Sequence, residues 1–318
     1  MSEENAALRV VAALLVAASC VPLAAHAGEG GISHVIPGAM ATLADNAPAA
    51  PGTFLKPMYL HYGGNASAVL PTAAGLAANL EASTNTFALT AGHTFATTVL
   101  GGAHYTMVAV LPYTWIDVTA DVQRGTGSVR VNNKVDGFGD LTVIPAMLAW
   151  KTGNVQVNAL LPIYAPTGSY QAGRLGNPGL NYWTFDPIVG LVYSNAENGF
   201  NALAHMGYAM NTENPDTNYK SGNLFHLDAA VQQIVPIGSG FMTIGAEGWY
   251  FQQMSCDSGS GATLGCFKGR TAGIGPVIGY IQPLGKQSLV VEAKWLPELD
   301  TKNRLNGDYI WLKVVYKF

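Results

Sequence analysis

The sequence predicts an all-β chain, a transmembrane antiparallel β-barrel of about 12 strands and of the outer-membrane type. Three observations predict it. Of 318 residues, 49% are hydrophobic and 11% charged, against about 25% charged in an ordinary soluble domain. Outside the N-terminus, no run approaches the roughly 20 apolar residues of a membrane helix; apolar and polar residues instead alternate with period two. Third, short and long connectors alternate along the chain. A strand in a bilayer has no water to satisfy its backbone groups, so its sheet must close on itself. A closed barrel needs an apolar outer band but no dry interior, which reconciles high apolar content with the missing long runs. The net charge of −4 gives no reason to expect a nucleic-acid partner.

Taken in order, residues 1–27 read as a secretory signal peptide. Leu8 to Leu23 is an apolar core with Arg9 near its start, and Ala25-His26-Ala27 is a small-x-small cleavage site. Glu3 and Glu4 offset Arg9. A membrane anchor, for which the run is short, and a lipoprotein signal modified at Cys20 are the other two readings. The mature chain then starts near Gly28. Residues 28–51 are Gly/Ala/Pro-rich and read as an irregular segment, either periplasmic or folded into the lumen as a hatch. Residues 52–318 form the barrel. Its strands fall at about 52–62, 85–99, 104–120, 139–150, 155–165, 182–194, 200–211, 223–236, 241–253, 267–282, 287–296 and 307–318. Short connectors are Gly101 to Ala103, Lys151 to Asn154, Asn195 to Gly199, Ile237 to Gly240 and Pro283 to Lys286. Long ones lie at roughly 63–84, 121–138, 166–181, 212–222, 254–266 and 297–306, as expected of periplasmic turns and outer loops with both termini periplasmic. Thr72 to Ala82 reads as a short helix in the first outer loop. Ser128 to Lys134 reads either as loop or as a hairpin extended beyond the membrane.

The last strand shows the alternation most plainly. Ile310, Leu312, Val314, Tyr316 and Phe318 make one greasy face; Tyr309, Trp311, Lys313, Val315 and Lys317 make the other. The strand ends on Phe318, where an aromatic girdle belongs, and the barrel-assembly machinery is expected as a partner of this strand. Export also decides the cysteines. Cys256 and Cys266 share one Gly/Ser-rich stretch and are expected to form a disulfide, since neither Cys-x-x-Cys spacing nor nearby His supports a metal.

Several stretches, in order, cover nearly the whole mature chain: Glu29 to Gly38, Asp136 to Asp140, Pro166 to Tyr170, Asn177 to Trp183, Asn211 to Gly222, His226 to Asp228, Gln252 to Met254 with Asp257, Gly273 to Pro276, and Lys302 to Gly307. In these the sequence resembles the phenol-degradation meta-pathway (MetA-pathway) family of outer-membrane proteins. The resemblance implies a barrel in the outer membrane of a Gram-negative bacterium that passes small hydrophobic or aromatic compounds, with outer-membrane lipid and such a solute as its partners. It marks Asp136, Asp140, Asp216, Asp257 and Arg304 as loop-motif residues. The cysteine pair is not carried over from it.

The residues themselves single out a polar inward face: His226, Asp228, Gln232, Glu247, Glu292 and Lys294. They either pair among themselves, as polar barrel interiors do, or line a permeation path and set its selectivity. Asp136 and Asp140 flank two glycines and read as turn formers, with a calcium site as the other reading and no complete ligand spacing to support it; Asn211 to Asp216 invites the same two readings. Gly273-x-Gly275-x-x-x-Gly279 lies in a strand with no helix after it, so it marks bends rather than a dinucleotide site. No catalytic residue, metal or cofactor is expected.

Three functions compete. A porin-like channel or transporter for small apolar compounds is the leading one. An outer-membrane enzyme of the lipid-hydrolase kind needs a nucleophile and base within reach; His-x-Ser, which puts both on one strand face, does not occur. A structural or adhesive barrel without a pore is the third.

Overall fold

A computed structural model describes residues 33–318 apart from 67–69, 73–74, 125–126, 264 and 267. The signal peptide expected over residues 1–27 lies outside the described residues.

The described residues form sixteen strands and no helix: β1 (Gly52–Ala66), β2 (Leu70–Thr72), β3 (Gly75–Val99), β4 (Ala103–Arg124), β5 (Gly127–Phe138), β6 (Leu141–Thr152), β7 (Val155–Leu160), β8 (Ile163–Ala165), β9 (Thr184–Phe185), β10 (Ile188–Ser194), β11 (Phe200–Asn211), β12 (Leu224–Ile237), β13 (Gly240–Gln253), β14 (Arg270–Leu284), β15 (Gln287–Lys302) and β16 (Asn306–Lys317). β5 runs on into β6, β7 into β8 and β9 into β10, while β2 only folds back on β3. The result is a closed antiparallel barrel of twelve staves. It closes where β16 pairs with β1, with Tyr59 opposite Leu312. Thr53 and Phe318 exchange both backbone hydrogen bonds across that seam.

The three breaks sit side by side at Gly139–Asp140, Leu161–Pro162 and Asp186–Pro187. Proline has no N–H to give a ladder, so two of these staves interrupt their pairing there. The interruption is local: Asp186 N–H still reaches the Pro162 carbonyl at 3.0 Å.

Period-two alternation sorts the side chains. In β12, His226, Asp228, Ala230 and Gln232 are buried, while Leu227, Val231 and Val235 are exposed. Large apolar side chains such as Leu191, Ile274, Ile278 and Leu312 point outward and meet lipid. This is the outer-membrane location expected, with the polar groups inside.

In three places strand replaces what the sequence reading expected to be loop or helix. β3, β4 and β5 continue well past the membrane, so the connectors expected at 63–84 and 121–138 are largely strand. At about 3.3 Å per residue, the 25 residues of β3 far exceed the roughly 9–11 needed to cross a bilayer. Ser128 to Lys134 is hairpin extension. Its water-facing side is held by cross-strand pairs, Lys134 to Asp117 at 2.9 Å and Arg130 to Asp121 at 3.3 Å. Its inner side buries Val118, Ala120 and Val122 with Leu175 of an outer loop. The helix expected over Thr72 to Ala82 is strand instead. The register slips between Ala78 and Glu81, with Asn79 at φ 48°. This bulge puts Ala77 and Leu80 on one buried face at a spacing of three, which imitates a helical repeat. Finally, Asp300 and Thr301 still pair with β14, so the expected loop at 297–306 shrinks to 303–305.

Candidate permeation site

Twelve staves enclose more space than their own side chains fill, yet less than an open porin. The chain fills part of it with its own residues. Residues 33–51 carry no regular structure, and Val35, Ala41, Thr42, Asp45 and Ala47 are buried. The segment is fastened by inward-facing side chains. Trp311 Nε1 donates to the Pro37 carbonyl at 3.0 Å, and Gln156 Nε2 to that of Ala47 at 2.9 Å. Leu43 N–H donates to Gln232 Oε1 at 2.8 Å, and Gly38 N–H to Asp228 Oδ1 at 3.2 Å.

The strongest fastening is ionic. Asp45 of the segment meets Lys313 at 2.6 Å, Lys294 at 3.0 Å and Lys56 at 3.0 Å. Lys294 also meets Glu247 at 2.8 Å and Glu292 at 3.5 Å. The Thr42 hydroxyl lies 2.8 Å from both Asp45 and Glu292. Three ammonium groups therefore face three carboxylates with almost no water. Burial alone would raise the pKa of Asp45; the ammonium groups of Lys294, Lys313 and Lys56 outweigh it and hold the carboxyl well below its usual range.

A second network lies further along the segment. His226 sits between Asp186, at 2.9 Å, and Asp228, at 3.6 Å. His34 bonds Asp140 at 2.8 Å and Thr184 at 2.7 Å, and stacks on Tyr164 at 4.9 Å. Asp140 also accepts from the N–H groups of Gly168, at 2.8 Å, and Leu180, at 2.6 Å.

All six inward candidates are therefore buried, and they pair. His226 and Asp228 border the open cavity described below, while Gln232, Glu247, Glu292 and Lys294 face the segment. The loop-motif residues are scattered. Asp140 ties two stretches of the 166–183 loop to the wall. Asp136 points outward, accepting the Tyr113 hydroxyl, so the pair is not brought together for a cation. Asp257 accepts from Tyr219, Gly222 and Gln253. Asp216 is exposed in a turn, its N–H bonded to Asn214. Arg304 stands at the outer mouth. Cys256 and Cys266 are bonded, with Cα atoms 4.9 Å apart. No metal-binding cluster occurs among the described residues.

Lys313, Lys56, Asp45, Asp186 and Trp311 escaped the sequence reading as site residues. Lys313 and Trp311 share the non-greasy face of the last strand, and that parity was the available signal. Asp45 and Lys56 carried none.

Beside the segment a cavity of about 420 Å³ remains. Its far wall is made by the inner faces of β3 and β4, chiefly Leu80, Ala88, Val108, Val110, Ile116 and Val118, interleaved with threonines. The Thr86 and Thr114 hydroxyls satisfy each other at 2.9 Å. The Thr90 hydroxyl, 2% exposed, has no partner among the described residues.

Residues 62–314 match the family described as "Putative MetA-pathway of phenol degradation". The chain belongs to this family. Its fold is similar to that of an outer membrane channel from Pseudomonas putida F1, at 17% identity and a TM-score of 0.62, covering 90% of this chain and 100% of that one. It is also similar to the transport unit of the autotransporter AIDA-I from Escherichia coli, at 11% identity and a TM-score of 0.50, covering 88% and 93%. No curated protein sequence matches the chain. The glycine-bearing stretches of the family resemblance meet in space: a Cβ on Gly168 would lie 2.7 Å from the Gly139 carbonyl carbon and 2.8 Å from the Gly179 Cα. They are a packing device for the outer loop.

Proposed function

We propose that this family member is a non-enzymatic outer-membrane channel for small hydrophobic or aromatic compounds. One observation carries the reading: the buried Lys294 and Lys313 are held with Glu247, Glu292 and Asp45 on one side of the lumen, while the cavity's opposite wall, β3 and β4, presents only aliphatic and hydroxyl side chains. A cavity of about 420 Å³ falls within the range of small-molecule sites. Such a wall favours an apolar solute and offers a sugar few polar partners. The unpartnered Thr90 hydroxyl suits a solute with one polar group, such as a phenol. In this reading residues 33–51 serve as a hatch that narrows the lumen to a side passage.

The test is uptake into liposomes carrying the folded mature chain, comparing phenol with a polar solute of similar size. Phenol entering well above protein-free vesicles, with the polar solute excluded, is the expected result. Equal uptake of both, or uptake of neither, overturns the reading.

A further inference from the structure

We propose that the cavity selects solutes that join an apolar body to a single carboxylate, and that Arg304 recognises the carboxylate. This rests on the channel reading for where the solute goes, but not for whether it binds.

Arg304 lies in the 303–305 turn between β15 and β16, and borders both the large cavity and a smaller pocket beside Ser33 and His34. It stands next to Tyr62 and donates a hydrogen bond to the Tyr309 hydroxyl, a neutral partner that leaves its charge uncompensated. Among the described residues it is in no ion pair. The acid that shares those tyrosines with it, Glu298, is already occupied. It accepts from Thr271 at 2.8 Å, the Gly307 N–H at 2.9 Å, Tyr62 at 3.1 Å and Tyr309 at 3.4 Å.

The acids bordering the cavity are occupied in the same way. Asp45 holds three lysines, and Asp140 holds His34 and two backbone N–H groups. Asp186 holds His226, and Asp228 holds the Gly38 N–H. The unspent valence of the cavity is thus cationic. A cationic solute finds no free carboxylate. An anionic one finds a planar guanidinium, whose fork matches a carboxylate, at the outer rim of a wall built from Leu80, Ile116, Val118, Leu175 and Leu305. At the other end Lys317, also in no ion pair among the described residues, borders the same cavity. A carboxylate therefore meets a cation outside any ion pair at either end of the passage.

The experiment titrates the full mature barrel in detergent with sodium benzoate and, separately, with neutral benzyl alcohol, reading the fluorescence of its tryptophans; Trp311 borders the cavity. Benzoate is expected to bind about tenfold or more weakly to Arg304→Gln than to the unaltered chain, with Arg304→Lys between them, the size of one charge-assisted hydrogen bond. Benzyl alcohol is expected to bind Arg304→Gln and the unaltered chain alike. Added salt should weaken benzoate and leave benzyl alcohol alone, a readout that needs no variant. Benzoate binding that ignores both the substitution and salt overturns the proposal, as does equal weakening of both probes. Arg304-dependent benzoate binding without liposome uptake of phenol or benzoate sustains this inference and removes the channel reading.

Discussion

Asp45→Asn tests whether the ion cluster keeps residues 33–51 seated. The side chain keeps its shape but loses its charge. Three buried ammonium groups, those of Lys56, Lys294 and Lys313, would then face only Glu247 and Glu292. Breaking one partner out of a buried ionic network costs about 3–5 kcal/mol, because a charge is left without compensation. The Asp45 and Lys294 side chains are at most 1% exposed, so solvent screening removes little of that cost. At 1.4 kcal/mol per factor of ten, the ratio of unseated to seated segment rises from roughly a hundredfold to several thousandfold. Single-channel recording in planar bilayers reads this directly. The unaltered chain is expected to show one small conductance. Asp45→Asn should add a larger level, matching that of a chain lacking residues 28–50. A folded Asp45→Asn barrel with unchanged conductance and no second level would refute the reasoning, and so would a truncated chain that conducts like the full one.

The same carboxylate sets a pH dependence. Its pKa in the folded chain lies below its ordinary value of 3.8, so its contribution is complete above that value and is lost only as pH falls through the lower folded value. Asp45 therefore keeps its charge at pH 7 and pH 5 alike, and the larger level that follows from its protonation should emerge only in strong acid. Gly168→Ala forces a methyl group into the Gly139 and Gly179 backbones; overpacking against backbone costs about 1–3 kcal/mol, and limited proteolysis should cut the 166–183 loop faster while the barrel stays intact. Thr90→Val removes the unpartnered hydroxyl without changing side-chain shape much. Phenol binding should weaken about 2- to 10-fold and benzene binding should not weaken, as expected for one neutral hydrogen bond worth roughly 0.5–1.5 kcal/mol.

The sequence carries the barrel because period two persists along strand after strand with few long apolar runs. The twelve staves and the inward parity of His226, Gln232, Glu247 and Lys294 follow from that alone. Whether the same alternation lies in lipid or in water is not written in it, because β3 to β5 keep an apolar inner face above the membrane, packed against Leu175. The Asn79 bulge defeats local reading for a related reason, since one extra residue turns a spacing of two into three. The seating of residues 33–51 is a different kind of miss. Thr42 and Glu292 are 250 positions apart, and Asp45 and Lys313 are 268 apart. Nothing local in a Gly/Ala/Pro-rich stretch announces that it carries the carboxylate for three lysines on three strands.

That arrangement also explains why the cavity is where it is. Lys294, Lys313, Glu247 and Glu292 come from β13, β15 and β16, neighbours along one side of the barrel. Buried ionic groups are costly unless each finds a partner, so the segment carrying Asp45 is held to that side and not centred in the lumen. Where β3 and β4 wall the cavity they carry no inward charge among the described residues with which to hold it, and an uncharged wall gains nothing by replacing solvent or solute with the segment's polar backbone. The free volume must then lie against the aliphatic and threonine faces. The seating of residues 33–51 and the place of the cavity are two consequences of one asymmetric distribution of charge, and moving the charge would move both.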